Sequence, residues 1–441
     1  MSAFDFQRLI VVGALTLTDD ELLDRFQRAA FGYFSEQFNA ENGLVADTSR
    51  ASSPCSIAVV GFALSAYPVA AERAWMSRAD AVARTLVTLR FFWNSPQGEG
   101  PDVTGHKGFY YHFLDMTTGK RVWQSELSLI DTTLLLAGVL VASVYFSGNT
   151  PGETEIRDLA DALYRRVDWH WACGGRPTVR QGWKPDSGFL NYGWDGYNEG
   201  TILYILGLAS PTHPLPDTSY KAWTASYQWE NIYDHDFLYA GPLFIHQFSH
   251  AWIDFKGIRD RFMREKRCDY FENSRRATYV QREYAYRNPH GFEGYGEDGW
   301  GFTAGDGPSL PTRKIDGRER RFYAYAARGV PFGPDDGTIS PSAALASLPF
   351  APELALPALR HLCERYPELV ADFRLPTGFN PTLPGSGPAG WVSEGYFGLD
   401  QGILVLMIEN YRSQLIWKLM RQCIYISGGL RRAGFRGGWL S

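Results

Sequence analysis

Cysteine is scarce in this chain, and long apolar runs and blocks of like charge are missing from it. The five cysteines are odd in number and lack metal-ligand spacing, which argues against a disulfide framework and a zinc site, so we expect core thiols, no metal and no cofactor. No stretch of 18 or more apolar residues occurs, which excludes a membrane span. The net charge of −5 is spread along the chain, and this argues against nucleic acid as a partner.

One short apolar run, Leu9 to Leu17, follows Arg8 and faintly resembles the apolar part of a signal peptide. Acidic Asp5 precedes it, and no small-x-small cleavage site follows before Asp19, so we interpret the run as mature sequence. The absence of a clear signal predicts a cytoplasmic protein, or a periplasmic one if a signal has been removed.

Aromatic residues are abundant instead, at 15% of the chain, with 14 Trp, 24 Tyr and 28 Phe. Aromatic faces stack on the apolar faces of sugar rings, while neighbouring polar groups bond the hydroxyls, so this composition suits a carbohydrate site. A large helical core rich in Phe explains the same numbers. Only aromatic clusters beside carboxylates distinguish the two interpretations.

Apolar spacing of three and four residues predicts about a dozen helices. The predicted windows are 19–38, 56–67, 77–93, 127–146, 153–169, 197–208, 219–231, 242–262, 269–287, 341–347, 353–365, 398–411 and 414–426. Convincing strands are few and no linker-like tract is found, so we expect one domain over residues 1–441. Strongly apolar helices alternate with charged ones, which predicts an all-α (α/α)6 toroid with long Gly- and aromatic-rich loops over a cleft.

The first candidate cluster lies between Gly108 and Asp131, where Glu126 and Asp131 flank the start of the most apolar helix. Five residues apart on one helix they would point about 140° away from each other, so they can act together only if Glu126 precedes the helix. The alternative is that both acids merely stabilise the helix start. Asp115 lies just upstream.

The second cluster, NYGWDGYNEGTILYIL, sets Asp195 and Glu199 among Trp194, Tyr197 and Tyr204 at the predicted start of a helix. Burial in an aromatic pocket raises the pKa of a carboxyl, so Glu199 is our candidate general acid. The helix N-terminus opposes that shift. A first-turn acid that only stabilises its helix is the alternative.

Further candidates for substrate contact lie elsewhere in the chain. His246 and His250 are four residues apart, with Trp252 nearby; without the Glu of a HExxH motif they favour sugar hydroxyls over a metal, and structural histidines are the alternative. The segment from Gly291 to Pro341 is rich in Gly, Pro and Asp, and we expect it to be a packed functional loop that covers the cleft. The complete set of candidate substrate contacts is His112, Asp115, Trp194, Asp195, Tyr197, His246, His250, Trp252, Trp300 and Asp400.

Across these motifs the sequence resembles the glycoamylase-like family, which includes bacterial endo-β-1,2-glucanases and the cyclising domain of cyclic β-1,2-glucan synthases. The resemblance covers most of the chain and is carried by GFYYHFLD, SELSLIDTTLLLAGVL, WDGYNEGTILYILGLASPTHP, AGPLFIHQFSHAWIDFKG, DYFENSRRATYVQREY, YGEDGWGFTAGDGP, DGTISPSAALASLPFAPE and GLDQGILVLMIENYRS. It implies an (α/α)6 toroid that acts on β-1,2-linked glucose chains. It also implies that Glu199 is the proton donor and that Glu126 and Asp131 are candidate essential acids.

These observations predict an endo-acting β-1,2-glucanase in which Glu199 protonates the glycosidic oxygen and Asp131 or Glu126 activates water, with inversion favoured. Asp115 and Asp400 are the less favoured candidates for the second carboxylate. Transfer of the glycosyl group to a sugar hydroxyl is one alternative, and a non-catalytic glucan-binding protein is another. A lyase ranks last, because the clusters are acidic. We expect a β-glucan oligo- or polysaccharide as the partner, no membrane, and a monomer or weak oligomer.

Overall fold

The computed structural model describes residues 16–315 and 317–441, and helices dominate it, which confirms the predicted all-α class. Part of the apolar run from Leu9 to Leu17 lies outside the described residues. The helices are α1 (Asp19–Glu36), α2 (Ile57–Glu72), α3 (Arg78–Asn94), α4 (Leu129–Tyr145), α5 (Pro151–Arg166), α6 (Trp169–Ala172), α7 (Thr201–Ala209), α8 (Ser219–Thr224), α9 (Leu243–Trp252), α10 (Arg261–Glu265), α11 (Tyr270–Arg287), α12 (Pro341–Ala346), α13 (Pro352–Arg365), α14 (Gly398–Arg412), α15 (Leu415–Gln422) and α16 (Ile424–Arg432). Short 3-10 turns cover Pro367–Leu369 and Gly438–Leu440. No described helix is long and apolar enough to cross a membrane.

The strands are short, at two to four residues each. They are β1 (Cys55–Ser56), β2 (Gly105–His106), β3 (Phe109–Tyr111), β4 (Phe113–Leu114), β5 (Leu127–Ser128), β6 (Gly182–Lys184), β7 (Gly188–Phe189), β8 (Trp229–Ile232), β9 (His235–Leu238), β10 (Ala304–Gly305), β11 (Arg313–Ile315), β12 (Arg318–Arg320), β13 (Ala326–Ala327), β14 (Phe379–Asn380) and β15 (Trp391–Val392). One antiparallel sheet has five strands in the order β2-β3-β5-β6-β7. The other strands form antiparallel pairs, namely β1-β4, β8-β9, β10-β13, β11-β12 and β14-β15.

Backbone contacts divide the chain into two compact units. Unit 1 comprises the described part of 1–32 together with 229–248 and 272–412, and unit 2 comprises 33–228, 249–271 and 413–441. The expectation of one domain over 1–441 stays a prediction.

Unit 2 is built around α4, which is buried on almost every side and therefore apolar all round. Helix α2 packs against α4 at Gly61 and Gly138, where a Cβ atom would lie 2.2 Å from the Leu134 carbonyl oxygen or 2.1 Å from the Gly61 carbonyl oxygen. Only glycine permits this close approach of two helix backbones. The charged helix α5 contacts α4 as well, in keeping with the predicted alternation of apolar and charged helices.

Unit 1 contains the glycine-rich segment 291–341, and much of it is packed, as the sequence predicted. Trp300 and Phe302 are buried in a core with Leu243 and Tyr284. Arg328 and Asp336 form a fully buried ion pair, with the Arg328 Nε atom 2.7 Å from an Asp336 carboxylate oxygen. Coverage of a cleft by this segment stays a prediction.

Several predicted element boundaries are wrong, each for a local reason. The helix expected from Tyr197 begins only at Thr201, because Gly196 (φ 76°) holds the preceding loop outside helical geometry. The window 219–231 ends as a helix at Thr224 and continues into strand β8. The window 414–426 breaks at Cys423, which has extended dihedrals. The expectation for cysteine is confirmed, since all five thiols are buried and free of disulfides.

Candidate active site

Backbone pairing in unit 2 brings His112, Glu126 and Asp131 together. Strand β3 pairs with β5, with Tyr111 opposite Leu127, and one step further the His112 N–H donates to the Glu126 carbonyl at 3.0 Å. Helix α4 begins immediately after β5, so Asp131 in its first turn lies close to the same strand end. Glu126 therefore precedes the helix. The helical spacing that would point Glu126 and Asp131 away from each other does not apply, and the two acids can act together.

The imidazole of His112 lies between the two carboxylates. Its Nδ1 atom is 2.9 Å from Glu126 Oε1, and its Nε2 atom is 3.5 Å from Asp131 Oδ2. The ring stacks on Phe113, with centroids 3.9 Å apart and an interplanar angle of 13°. These contacts fix the ring orientation and the positions of both acids.

Electrostatics favours an imidazolium at this position. Burial alone would lower the pKa of His112, but the charge of Asp131 and the hydrogen bond and charge of Glu126 outweigh it and raise that pKa to about 9. Burial would raise the pKa of Glu126, yet its contact with His112 holds that pKa below the ordinary value. Asp47 adds a further negative charge near His112.

The same three side chains also have the donor types of a metal site. Their potential ligand atoms all lie within 4.8 Å of one another, and they form the one such group among residues 16–315 and 317–441. A protonated His112 has no lone pair for a metal ion, because both ring nitrogens carry protons directed at carboxylates. With His112 protonated, the group is an ion-paired cluster.

Asp131 is fixed by the first turn of α4. The Ser128 hydroxyl donates to Asp131 Oδ2 at 2.5 Å, while Ser128 Oγ accepts from the Asp131 N–H at 3.1 Å. This reciprocal arrangement is a helix N-cap, so the stabilising role weighed from the sequence is present. It involves Oδ2 of the carboxylate, and it also orients the group toward His112.

Glu199 lies in the loop before α7 and is partly buried. Its carbonyl accepts a hydrogen bond from Ser249 Oγ at 3.1 Å, and Ser249 Oγ in turn accepts from the Ile202 N–H at 3.1 Å. Burial raises the pKa of the Glu199 carboxyl to about 7, and the negative charge of Asp131 adds to that rise, although the backbone N–H of Glu199 itself opposes it. A carboxyl with this pKa can hold a proton near neutral pH.

The aromatic residues around Glu199 order its loop. Tyr204 is fully buried and donates its hydroxyl proton to the Trp194 carbonyl at 2.8 Å. The Tyr197 ring lies against Tyr227 and Tyr270, with centroid distances of 5.8 and 6.0 Å. Trp194 and Tyr197 are partly exposed and Asp195 is exposed, so all three predicted contacts can be reached from solvent.

Three other predicted contacts in unit 2 have structural surroundings. Asp115 Oδ1 accepts hydrogen bonds from the Thr118 N–H and hydroxyl at 2.7 and 2.9 Å, which closes the turn after β4 and lowers the pKa of Asp115. Trp252 is fully buried and donates its indole N–H to Ser65 Oγ at 2.9 Å. His250 is buried beside Phe255, with ring centroids 4.8 Å apart. These positions favour structural roles for the three residues.

The remaining predicted contacts, His246, Trp300 and Asp400, lie in unit 1. His246 is buried with Nε2 3.1 Å from the Ala240 carbonyl, and burial lowers its pKa to about 4, which favours a neutral core histidine. Trp300 is buried in the unit 1 core. Asp400 accepts a short hydrogen bond from Thr377 Oγ1 in the first turn of α14. None of these surroundings favours contact with a substrate.

Two features of the acid cluster were missed from the sequence. Ser128 caps the helix and holds Asp131, and the S-x-x-D spacing of Ser128 and Asp131 is a signal that could have identified it. Trp123 was not singled out, although it lies in the loop that leads to Glu126 and is 69% exposed.

The fold and this site define a class of protein, namely an all-α chain whose loops carry an ion-paired acid cluster and a separate carboxyl with a raised pKa. The family model described as "Putative glucoamylase" matches residues 191–424, more than half of the chain. The chain therefore belongs to the glycoamylase family, which confirms the resemblance seen in its motifs.

Individual relatives agree with this assignment. A "putative glucoamylase" of Bacteroides uniformis is 31% identical, with 97% of this chain and 100% of that chain covered and a TM-score of 0.85. An endo-β-1,2-glucanase from Chitinophaga pinensis, solved with sophorotriose and glucose, is 27% identical, with 96% and 100% covered and a TM-score of 0.81. The solved glucanase relatives are α/α toroids, so the predicted toroid fold is confirmed.

A curated relative from Parabacteroides distasonis is an exo β-1,2-glucooligosaccharide sophorohydrolase acting at the non-reducing end. It is 27% identical over 451 residues, which cover 94% of this chain. The chain spans 58% of the length of that relative.

The ion pairs of His112 predict a pH-dependent contribution to stability. The folded-state pKa of about 9 lies above the ordinary value near 6.5, so the contribution is complete below about pH 6.5 and is lost as pH rises through about 9. We therefore expect His112→Gln to lower the melting temperature most at pH 6 and least at pH 9.5. Thermal unfolding across this range tests it, and a melting-temperature difference independent of pH would contradict a protonated His112.

Proposed function

We propose that this protein is a glycoside hydrolase that cleaves β-1,2-glucan at internal bonds, with Glu199 as general acid and Asp131 as general base. The observation that carries the proposal is the pairing of a carboxyl whose pKa is raised to about 7 with a second carboxylate whose charge reaches it. Glycosidases need two such groups in different protonation states. The β-1,2 linkage is supported by the names of the related glucanase and sophorohydrolase.

In the proposed reaction, Glu199 donates its proton to the glycosidic oxygen as the bond from the anomeric carbon to that oxygen breaks. Asp131 takes a proton from a water molecule, and the water oxygen forms the new bond to the anomeric carbon. The products are a new reducing end and a new non-reducing end, and attack on the face opposite the leaving group inverts the anomeric configuration. Glu199 leaves the reaction ionised and Asp131 protonated.

Asp131 is favoured over Glu126 as the base for two reasons. The charge of Asp131 raises the pKa of Glu199, which indicates electrostatic coupling between the two groups. Glu126 is engaged with His112 through the shorter of the two ion pairs, 2.9 Å against 3.5 Å. We assign Glu126 and His112 to holding the Asp131 side chain in place, so His112 acts as a positioning residue rather than as the substrate contact first expected.

The pKa of Glu199 predicts the alkaline limb of the activity profile. The general acid must be protonated, so kcat/KM should be near its maximum below pH 7 and fall about tenfold per unit well above it. Initial rates on β-1,2-glucan between pH 5 and 9 measure this limb. A rate that stays constant up to pH 9 would contradict Glu199 as the acid.

Product analysis tests the proposed reaction. Linear β-1,2-glucan should give new reducing ends in proportion to the bonds broken, with a range of chain lengths from the earliest times. A transferase would lengthen or cyclise chains without that rise in reducing ends, and early release of the disaccharide alone would show exo action like that of the sophorohydrolase. Proton NMR within the first minutes should show the anomer opposite to that of the substrate bond.

A further inference from the structure

Trp123 is exposed in a conformation that the backbone does not favour. The residue lies between β4 and β5, and 69% of its surface is accessible. Both Trp123 and the following Gln124 have left-handed dihedrals, with φ values of 56° and 52°. Non-glycine residues rarely adopt this region, and such outliers cluster at functional sites because the surrounding structure must hold them there.

The loop around Trp123 is held by Arg121. The guanidinium donates from Nε to the Ser125 carbonyl at 2.5 Å and from Nη2 to the Gln124 carbonyl at 2.6 Å. Its carbon atom Cζ also lies 4.8 Å from the centre of the Tyr111 ring, whose residue is the last of β3. The loop that carries the Trp123 indole is therefore ordered by these contacts and is attached through Tyr111 to the five-stranded sheet.

Ring contacts connect Trp123 to the acid cluster. The Trp123 and Phe113 rings have centroids 5.1 Å apart at an angle of 57°. Phe113 stacks on His112 at 3.9 Å, and His112 is ion-paired with Glu126 and Asp131. The exposed indole is thus the last of three rings in contact, and the first of them, His112, lies between Glu126 and Asp131.

We infer that Trp123 is a stacking platform for a glucosyl unit of the β-1,2-glucan chain, one or more residues away from the bond that is cleaved. The inference rests on the proposed function of the acid cluster. Pyranose rings present an apolar face of C–H groups, which suits an exposed indole. An endo-acting enzyme must bind several consecutive units, and ring contacts place Trp123 two rings away from the acid cluster.

The test compares Trp123→Ala and Trp123→Phe with a matched control, Trp93→Ala. Trp93 is another exposed indole of unit 2, and its ring lies under Arg166 rather than in the row of rings. For long β-1,2-glucan we expect Trp123→Ala to raise KM about three- to tenfold with little change in kcat, and Trp123→Phe to recover part of the loss. Trp93→Ala should leave both constants unchanged.

The dependence of KM on oligosaccharide length separates loss of a sugar contact from a general structural defect, which would affect substrates of all lengths equally. The KM penalty of Trp123→Ala should grow with oligosaccharide length and vanish for the shortest cleaved substrate. A penalty that is equal at all lengths, a fall in kcat with KM unchanged, or the same loss in Trp93→Ala would overturn the inference.

Direct binding keeps the inference testable if Trp123→Ala does not fold. In the slowed Glu199→Gln background, addition of long β-1,2-glucan should change the tryptophan fluorescence more with Trp123 present than with Phe at that position. Equal fluorescence changes in the two proteins would overturn the inference that Trp123 binds a glucosyl unit. A wild-type protein that does not cleave β-1,2-glucan would refute the proposed function itself, whereas normal cleavage with unchanged binding in the Trp123 variants refutes only the platform.

Discussion

Replacement of Glu199 by Gln should slow the hydrolysis of β-1,2-glucan about 10²- to 10⁴-fold, the range typical of a lost general acid. The amide has the shape of the carboxyl but cannot donate the proton that the glycosidic oxygen needs as its bond breaks. The Glu199 carbonyl hydrogen bond to Ser249 belongs to the backbone and is kept in the variant. Substrate affinity, measured by calorimetry, should therefore change far less than kcat.

The matched control is Glu155→Gln. Glu155 is a glutamate on α5 whose exposed ion pair with Arg90 contributes little to stability. The Glu155→Gln variant should keep the kcat and KM of the wild type. A Glu199→Gln variant that also retains wild-type kcat would contradict the assignment of Glu199, whatever its affinity.

Replacement of Asp131 by Asn should cause a loss in kcat of similar size, about 10²- to 10⁴-fold. The amide cannot accept a proton from water, but its oxygen can still accept the Ser128 hydroxyl that caps α4. The helix start should therefore survive, and far-UV circular dichroism with a melting curve checks that the variant is folded. Comparison of kcat with the wild type gives the catalytic loss.

A second substitution separates Asp131 from Glu126. Glu126→Gln removes one charge from the His112 cluster but keeps a hydrogen-bond acceptor, so we expect a loss in kcat of about tenfold or less.

Azide should restore turnover to Asp131→Ala by attacking the anomeric carbon directly, giving a glycosyl azide of inverted configuration. A larger loss in Glu126→Gln than in Asp131→Asn would reverse the two roles.

The helix that carries Asp131 could be predicted from local sequence, whereas the contact of His112 with the two acids could not. The apolar window 127–146 predicted α4, and the structure begins that helix at Leu129, which places Glu126 before it. The contact of His112 with Glu126 depends on the pairing of β3 with β5 across 14 residues. Strands of two or three residues have no readable periodicity. The contacts of the protonated His112 with Glu126 and Asp131 could therefore not be predicted from the sequence.

Spacing alone also failed to say which side of a helix is buried. His246, His250 and Trp252 share the helical spacing of a binding face, yet the structure buries all three. Apolar and aromatic residues mark a core and a sugar site equally well in the sequence, and only the surrounding chain decides between them. Trp123 is the opposite case, because the structure exposes it in a loop with two left-handed residues that no sequence pattern indicated.

The raised pKa of Glu199 was expected for the right physical reason, but in a partly wrong local structure. Its raised pKa was expected from burial, and burial is its largest cause. The expected first helical turn is instead a loop, because α7 begins at Thr201. Glu199 lies one residue before the N-cap Gly200, where the positive end of the helix still favours the ionised form, and burial outweighs that effect.

The proposed activity is tested most directly by the products formed from a panel of linear and cyclic glucans with β-1,2, β-1,3, β-1,4 and α linkages. Wild-type protein and the Glu199→Gln variant are incubated side by side, and the products are separated by size and counted by reducing ends. We expect the wild type to cleave β-1,2-glucan in preference to every other linkage and the variant to do so orders of magnitude more slowly. Absence of turnover on every glucan, or a preference for a different linkage, would contradict the proposed activity.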